Sequence, residues 1–287
     1  MLQSMTGYGK VNVQLASKKI TLEIKSLNSK SLDLNLRMPS FYKEKEIDVR
    51  KSISEKLQRG KIDFFITLEN SQEQTSTIIN STIVKNYMQQ LRTIIDNSEL
   101  DVEFLKIAVK MPDALTAEKE GLNSDEWVLI EDGLKRVIEN ITQFRIDEGK
   151  TLHKDLSTRV VNIQNYLIDI EQVDKERLQE IRTRLDKTFQ DIKQQVDANR
   201  FEQEVLYYLE KLDVNEEKVR LKSHLDYFLK TINTSESQGK KLGFIAQEMG
   251  REINTLGSKA NFAPMQKIVI LMKNELEQIK EQLLNVL

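Results

Sequence analysis

The sequence predicts an α+β chain: an N-terminal β-β-β-α-β domain, then a long helical hairpin or coiled-coil region, then a C-terminal helical domain. Three observations carry that prediction. Up to residue 70, apolar side chains alternate with polar ones, the period of a half-buried strand. Beyond residue 125 they recur every three or four residues, the period of a helix packed along one face. Composition agrees, since 31% charged residues, 39% hydrophobic residues and only 3 prolines in 287 positions suit a helix-rich chain. The boundaries fall at 1–70, 71–200 and 201–287.

Val11, Val13 and Leu15 mark the first strand, Ile20, Leu22 and Ile24 the second, and Leu32, Leu34 and Leu36 the third, which Pro39 ends. Ile47, Ile53 and Leu57 among charges predict a helix over 42–57, stopped at Arg59-Gly60. Residues 61–69 read as a fourth strand, giving a mostly antiparallel sheet with a helix on it. Gly7 and Gly9 belong to no G-x-G-x-x-G and follow no strand, so they are not a nucleotide loop; a tight turn or a close backbone approach suits them. Residues 71–78 read as a polar linker. Helix follows as far as Met111-Pro112, and 111–125 reads as a surface loop. From Trp127 a long helix begins, and its later part carries a heptad-like seam of Leu152, Leu156, Val160, Ile163, Leu167 and Ile170. A second helix over about 174–196 would fold back on that seam. Residues 201–212 continue as helix. Pro264 sits in the first turn of the last one, whose seam is Met265, Ile268, Met272, Leu276, Ile279 and Leu283.

Several function classes drop out on composition. The chain has no cysteine, so disulfides, thiolate metal sites and a cysteine nucleophile are excluded. No apolar run approaches the ~18 residues of a membrane span, and MLQSMTGYG lacks the basic flank and apolar core of a signal peptide. The expectation is a cytoplasmic protein with no membrane partner. Net charge is -2, so any contact with RNA must come from local clusters of Lys and Arg.

The chemistry concentrates between residues 216 and 259, where two amphipathic helices flank a polar break. Leu221, Leu225, Phe228, Leu229 and Ile232 form the apolar face of the first, with Glu217, Arg220 and His224 along its edge. The second buries Leu242, Ile245, Met249, Ile253 and Leu256. Glu248 and Glu252 flank that face, while Gln247, Arg251 and Asn254 lie further round. Two carboxylates four residues apart repel unless a cation lies between them. Facing a histidine and arginines, the pair could hold a divalent metal or grip a phosphate. The same residues also fit a solvated helix margin. Asn28 and Lys30 between strands, with Arg37 ending the third, could position phosphates or be ordinary loop polarity.

QEMGREINTLGSK, the E-E-x-x-R-L-x-S-H run at 216–224 and the closing ELEQIKEQLLN resemble the C-terminal domain of the YicC-like endoribonucleases. SMTGYGK and IKSLNSKSLDLNLRMP resemble that family's N-terminal domain, and Arg145, Glu148, Gly149 and Leu152 match its R-x-x-E-G-x-x-L element. The likeness covers the whole chain in order. It departs at Lys30, commonly arginine in the family, which keeps the charge and loses bidentate phosphate binding, and at Gly250, often asparagine. The resemblance implies endoribonuclease activity and a hexamer around a central space for RNA, which would converge six weak basic patches on one strand.

Side-chain chemistry then suggests roles. Glu217, Glu248 and Glu252 are hard oxygen ligands for a divalent ion, and His224 would favour Mn²⁺ over Mg²⁺; Glu248, Glu252 and His224 are the candidate catalytic set. Arg220, Arg251 and Lys259 would hold the phosphate and Asn254 a ligand or a ribose hydroxyl, with Asn28, Lys30 and Arg37 as further RNA contacts. Products could pass to an exoribonuclease partner. Three alternatives stand beside this reading: a metal-free nuclease using His153 and His224 as acid and base, a non-catalytic RNA-binding adaptor, and an oligomeric helical scaffold.

Overall fold

The computed structural model of the protein describes residues 2–15, 18–70, 77–95, 100–117, 124–192, 198–234 and 239–287. Strands β1 (Gly7–Gln14), β2 (Lys18–Leu27), β3 (Leu32–Arg37) and β4 (Gly60–Asn70) form one sheet in the order β1-β2-β4-β3. The β1–β2 and β2–β4 pairs are antiparallel, while β3 runs parallel to β4. A parallel pair needs a crossover, which a 3-10 turn (Ser40–Lys45) and helix α1 (Glu46–Lys56) supply. The alternation read from the sequence is realised: Ile20, Leu22, Ile24, Ile62 and Phe64 are fully buried on the inner face.

Helix α1 covers only part of that face. Helix α4 (Ser124–Ile192) also lies on the sheet and places Ile130, Leu134, Val137, Ile138 and Ile141 in the same core. The sheet's core therefore draws on residues far beyond 70. Gly7 and Gly9 allow this contact: a Cβ on Gly9 would lie 2.7 Å from the Val137 carbonyl oxygen, and one on Gly7 2.8 Å from Ile141 Cγ1. Close approach, not a turn, is their role.

Helix α4 is 69 residues long and so spans roughly 100 Å. It runs straight through Asp174, where the sequence reading starts a second, folded-back helix. No glycine or proline occurs between Lys150 and Ile192 to break it, and a buried i,i+3 ion pair between Asp174 and Arg177 reinforces the turn in question. The seam from Leu152 to Ile170 is buried as its spacing predicts. It joins one C-terminal core with α6 (Asn215–Ile232), α7 (Gly239–Lys259) and α8 (Ala263–Leu283); α5 (Ala198–Lys211) precedes them. A small lobe lies between β4 and α4, made of β5 (Thr77–Ile79), α2 (Ser81–Ile94), α3 (Asp101–Ala108) and β6 (Leu115–Ala117). Strand β6 falls where a loop is read and β5 begins inside the read linker, because their pairing with each other has no local signal. Linker residues 71–76 lie outside the described residues.

The N-terminal segment ties the cores together. Leu2 sits in the C-terminal core, Ser4 bridges Val286, and the Met5 amide donates to the Asn285 carbonyl at 2.8 Å. The R-x-x-E-G element holds this segment on α4. Arg145, 2% exposed, donates to the carbonyls of Met5 and Arg59 and to Ser26 Oγ. Glu148 accepts from Thr6 Oγ1 at 2.7 Å. Gly149 leaves room for Leu2, whose carbonyl oxygen would lie 2.1 Å from any Cβ there. Among the described residues no helix is long and apolar enough to cross a membrane.

Candidate active site and basic cavity

Helices α6 and α7 form an antiparallel hairpin, fastened at its open end by Lys259 Nζ on Glu217 Oε1 at 2.7 Å. Lys259 also donates to the Asp213 carbonyl. These two residues, read as a phosphate grip and a metal ligand, therefore hold each other. Glu217 is buried, and its Oε2 has no hydrogen-bond partner. A polar cluster continues from them to α4. Arg177, 1% exposed, donates Nε to Asp174 Oδ1 at 2.8 Å and Nη1 to the Leu212 carbonyl, and Lys218 Nζ meets Asp174 Oδ2 at 2.9 Å. Arg177 Nη2 also lies 2.8 Å from Asp174 Oδ1 but at an angle that makes no hydrogen bond.

The antiparallel register set by Lys259 and Glu217 brings Glu252 level with His224. Glu252 is buried at 5% exposure and has no hydrogen-bond or ion-pair partner among the described residues. Glu248 is exposed and lies 3.6 Å from Arg251; Arg220 pairs with Glu216. His224 is half-buried and Asn254 exposed. His153 shares a hydrogen bond with Asn233 Oδ1, and Asn233 caps the end of α6, nine residues from His224. At 1.5 Å per residue the two histidines are separated by roughly 13 Å along that helix, too far to serve one phosphate.

Around α7, each residue turns 100°, so Glu252 lies about 140° from Gln247. The helix thus has a carboxylate edge towards α6 and an amide and glycine edge towards α8. Between them runs an exposed ridge containing Phe244 and Arg251. On the α8 side opens a cavity of about 510 Å³ at the junction of the N- and C-terminal cores. Asn28 and Lys30 reach it from the β2–β3 loop, Arg59 from the turn before β4, Lys240 and Gln247 from α7, and Lys280 from α8; no Asp or Glu among the described residues lines it. Arg59 Nε donates to the Ser29 carbonyl at 3.0 Å, and Asn28 Nδ2 to the Leu284 carbonyl, so the loop is pinned in place.

Arg37 does not join Asn28 and Lys30. It ends β3, the whole strand away, and stacks 5.5 Å over Phe65 on the sheet. The residues missed by sequence reasoning are Arg59, Lys240 and Lys280. They come from three separated stretches, and only the tertiary fold unites them; the Arg59-Gly60 pair signals a helix stop and nothing more.

Comparison with known proteins identifies the family. Residues 2–154 match the endoribonuclease YicC-like N-terminal region, and residues 170–287 match the endoribonuclease YicC-like C-terminal region. The chain belongs to the YicC-like endoribonuclease family. Curated relatives named "Probable endoribonuclease YicC" include one from Clostridioides difficile (strain 630), 29% identical over the full length of both chains. Another, from Haemophilus influenzae, is 27% identical over 99% of each chain. The YicC-like C-terminal match contains the whole α6–α7 hairpin, while the basic cavity takes residues from both matched regions.

The residues only partly fit a divalent metal. Among the described residues no three His, Asp or Glu side chains converge on one point, and Glu217 gives one oxygen to Lys259. Glu217, His224, Glu248 and Glu252 are not a preformed four-ligand cage. What the α7 edge offers is two carboxylates one turn apart, the donor set of an ion bound with its substrate's phosphate oxygens.

Proposed function

We propose that the protein is an endoribonuclease whose scissile phosphate lies against the α6-facing edge of α7. The observation that supports this best is Glu252, a side chain 5% exposed with no hydrogen-bond or ion-pair partner among the described residues, whose carboxylate oxygens are nevertheless open to solvent. A recessed carboxylate that no protein group occupies, one helical turn from Glu248, is free to take a cation. In this reading Glu248 and Glu252 accept a divalent ion together with RNA phosphate and water oxygens, and Mn²⁺ outperforms Mg²⁺ where His224 contributes. The ion supplies charge neutralisation at the phosphate. Arg251, on the exposed ridge, and Arg220 across the hairpin orient the phosphate, whereas Asn254, two residues on from Glu252 and so about 160° round α7, lies on the cavity side and does not reach it. RNA hydrolysis of this kind belongs in the cytoplasm, and an exoribonuclease would take the products.

We also place the protein in a ring-like homohexamer. Ile94, Val102, Leu105 and Leu115 of the small lobe are each exposed at 45% or more, apolar surface that a subunit contact would cover.

The test is cleavage of a labelled structured RNA with Mn²⁺, Mg²⁺ or EDTA, beside Glu252→Gln and Glu248→Gln variants of unchanged oligomeric size. Metal-dependent cleavage, reduced at least 100-fold in either variant, is the expected result. Cleavage that survives EDTA would refute the carboxylate site. RNA binding with no cleavage under any metal would leave an RNA-binding adaptor.

A further inference from the structure

We propose that the cavity between the sheet domain and the α7–α8 pair is a second binding site, for a phosphorylated nucleotide, whose phosphate is held by Lys30, Arg59, Lys240 and Lys280. Four cations from four separate elements meet there. Of the four, only Lys280 has a carboxylate partner, Glu277 at 2.8 Å. Lys30 and Lys240 make no hydrogen bond or ion pair among the described residues, and Arg59 commits its Nε alone, to Ser29. Like charges gathered in one concavity repel each other, and field lines focus there, so an anion is attracted.

Scattered surface lysines would be the plain alternative, and two features argue against it. Among the described residues no acidic side chain lines the cavity, although the chain has slightly more acids than bases. Its floor, moreover, is apolar, formed by Met5, Leu283 and Val286. An apolar floor with a cationic rim matches a nucleotide, with a base or ribose below and a phosphate above, better than it matches a bare inorganic anion. About 510 Å³ also lies in the range of small-molecule sites, ~300–1,000 Å³. Gln247, which projects into the same space without a partner among the described residues, can pair with a base edge.

The position gives the site a purpose. Gln247 and the carboxylate edge stand on opposite sides of one helix, so a strand seated in the cavity would cross Phe244 and Arg251 to reach Glu248. Phe244 is 68% exposed and offers a stacking surface on that route. This path rests on the endoribonuclease reading; nucleotide binding in the cavity does not. The same phosphate chemistry could come from a nucleotide within an RNA chain or from a free nucleotide.

Equilibrium binding by the full-length protein in EDTA separates these without any cleavage. The probes are a short single-stranded RNA with a 5′-monophosphate, the same RNA with a 5′-hydroxyl, and free AMP. Lys240→Glu and Lys30→Glu, both exposed positions, are compared with Lys51→Glu on α1. The cavity variants should lose at least ten-fold in affinity for RNA, and their log K against log salt slope should fall by about 0.7 per lost phosphate contact; Lys51→Glu should change neither. An equal loss for AMP identifies a free-nucleotide site, and a loss confined to the 5′-phosphorylated RNA identifies a terminal phosphate. Affinities for all three probes unchanged by Lys240→Glu and Lys30→Glu would overturn the proposal, whether or not the protein cleaves RNA.

Discussion

At the scale of single residues, polar groups are buried for two different reasons. Arg145 reaches three oxygens, all through Nη2, and leaves Nε without a partner, and burial pulls its guanidinium down to about 10. It is still charged at neutral pH, and its work is to hold the N-terminal segment. Arg145→Met would remove the donor shared by Ser26 Oγ and the carbonyls of Met5 and Arg59, of which Met5 keeps the Ser26 hydroxyl, and should cost about 2–3 kcal/mol in urea denaturation. The folded chain binds this proton less tightly than the unfolded chain, so its effect on stability rises with pH only above about 10. The cost of Arg145→Met should therefore be the same at pH 7 and pH 9. Gly149 is a steric case. Alanine there would gain about 1 kcal/mol of helix propensity, but its Cβ would strike the Leu2 backbone, which cannot yield as a side chain can. Gly149→Ala should lower Tm despite the better helix former. Glu252, by contrast, makes no hydrogen bond or ion pair among the described residues while its oxygens stay open to solvent, which is why it carries the functional reading.

Among the elements, α7 has the most roles, and Gly250 sets its spacing to α8. A Cβ at Gly250 would lie 3.1 Å from Leu276 Cδ2, a side-chain methyl able to shift by a few tenths of an ångström. Propensity should win here, so Gly250→Ala is expected to stabilise the protein by about 0.5 kcal/mol, read as a small rise in Tm. The same Cβ would lie 3.7 Å from Lys280 Nζ, an ordinary contact, so alanine there would leave the cavity cation in place. Helix α4 is anchored in its C-terminal third by Arg177, which joins Asp174 to the Leu212 carbonyl. Arg177→Ala removes one half of a buried ion pair and should cost about 3 kcal/mol in chemical denaturation.

For the whole molecule, the two cores are joined by α4 and by a short parallel set of contacts: residues 2–6 with the chain end, and Asn28 with Leu284. The basic cavity lies on that second junction. Ligand binding there should therefore stabilise one core against the other. Adding 5′-phosphorylated RNA in EDTA is expected to raise Tm of the intact protein, with the rise lost in Lys240→Glu; an unchanged Tm at saturating RNA would count against a site spanning the junction.

The sequence by itself determined the α+β class, all four strands of the sheet, the α4 and α8 seams and the α6–α7 hairpin, because each writes its burial as a local period. It also placed Glu248 and Glu252 on one helix, since spacing alone decides that. Tertiary structure decided what no period encodes. It paired Glu217 with Lys259, parted Arg37 from Lys30, carried α4 unbroken past Asp174 and gathered Arg59, Lys240 and Lys280 beside Lys30. Those outcomes depend on which faces of distant segments pack together, and side chains that meet only across such packing leave no mark in their own neighbourhood of the chain.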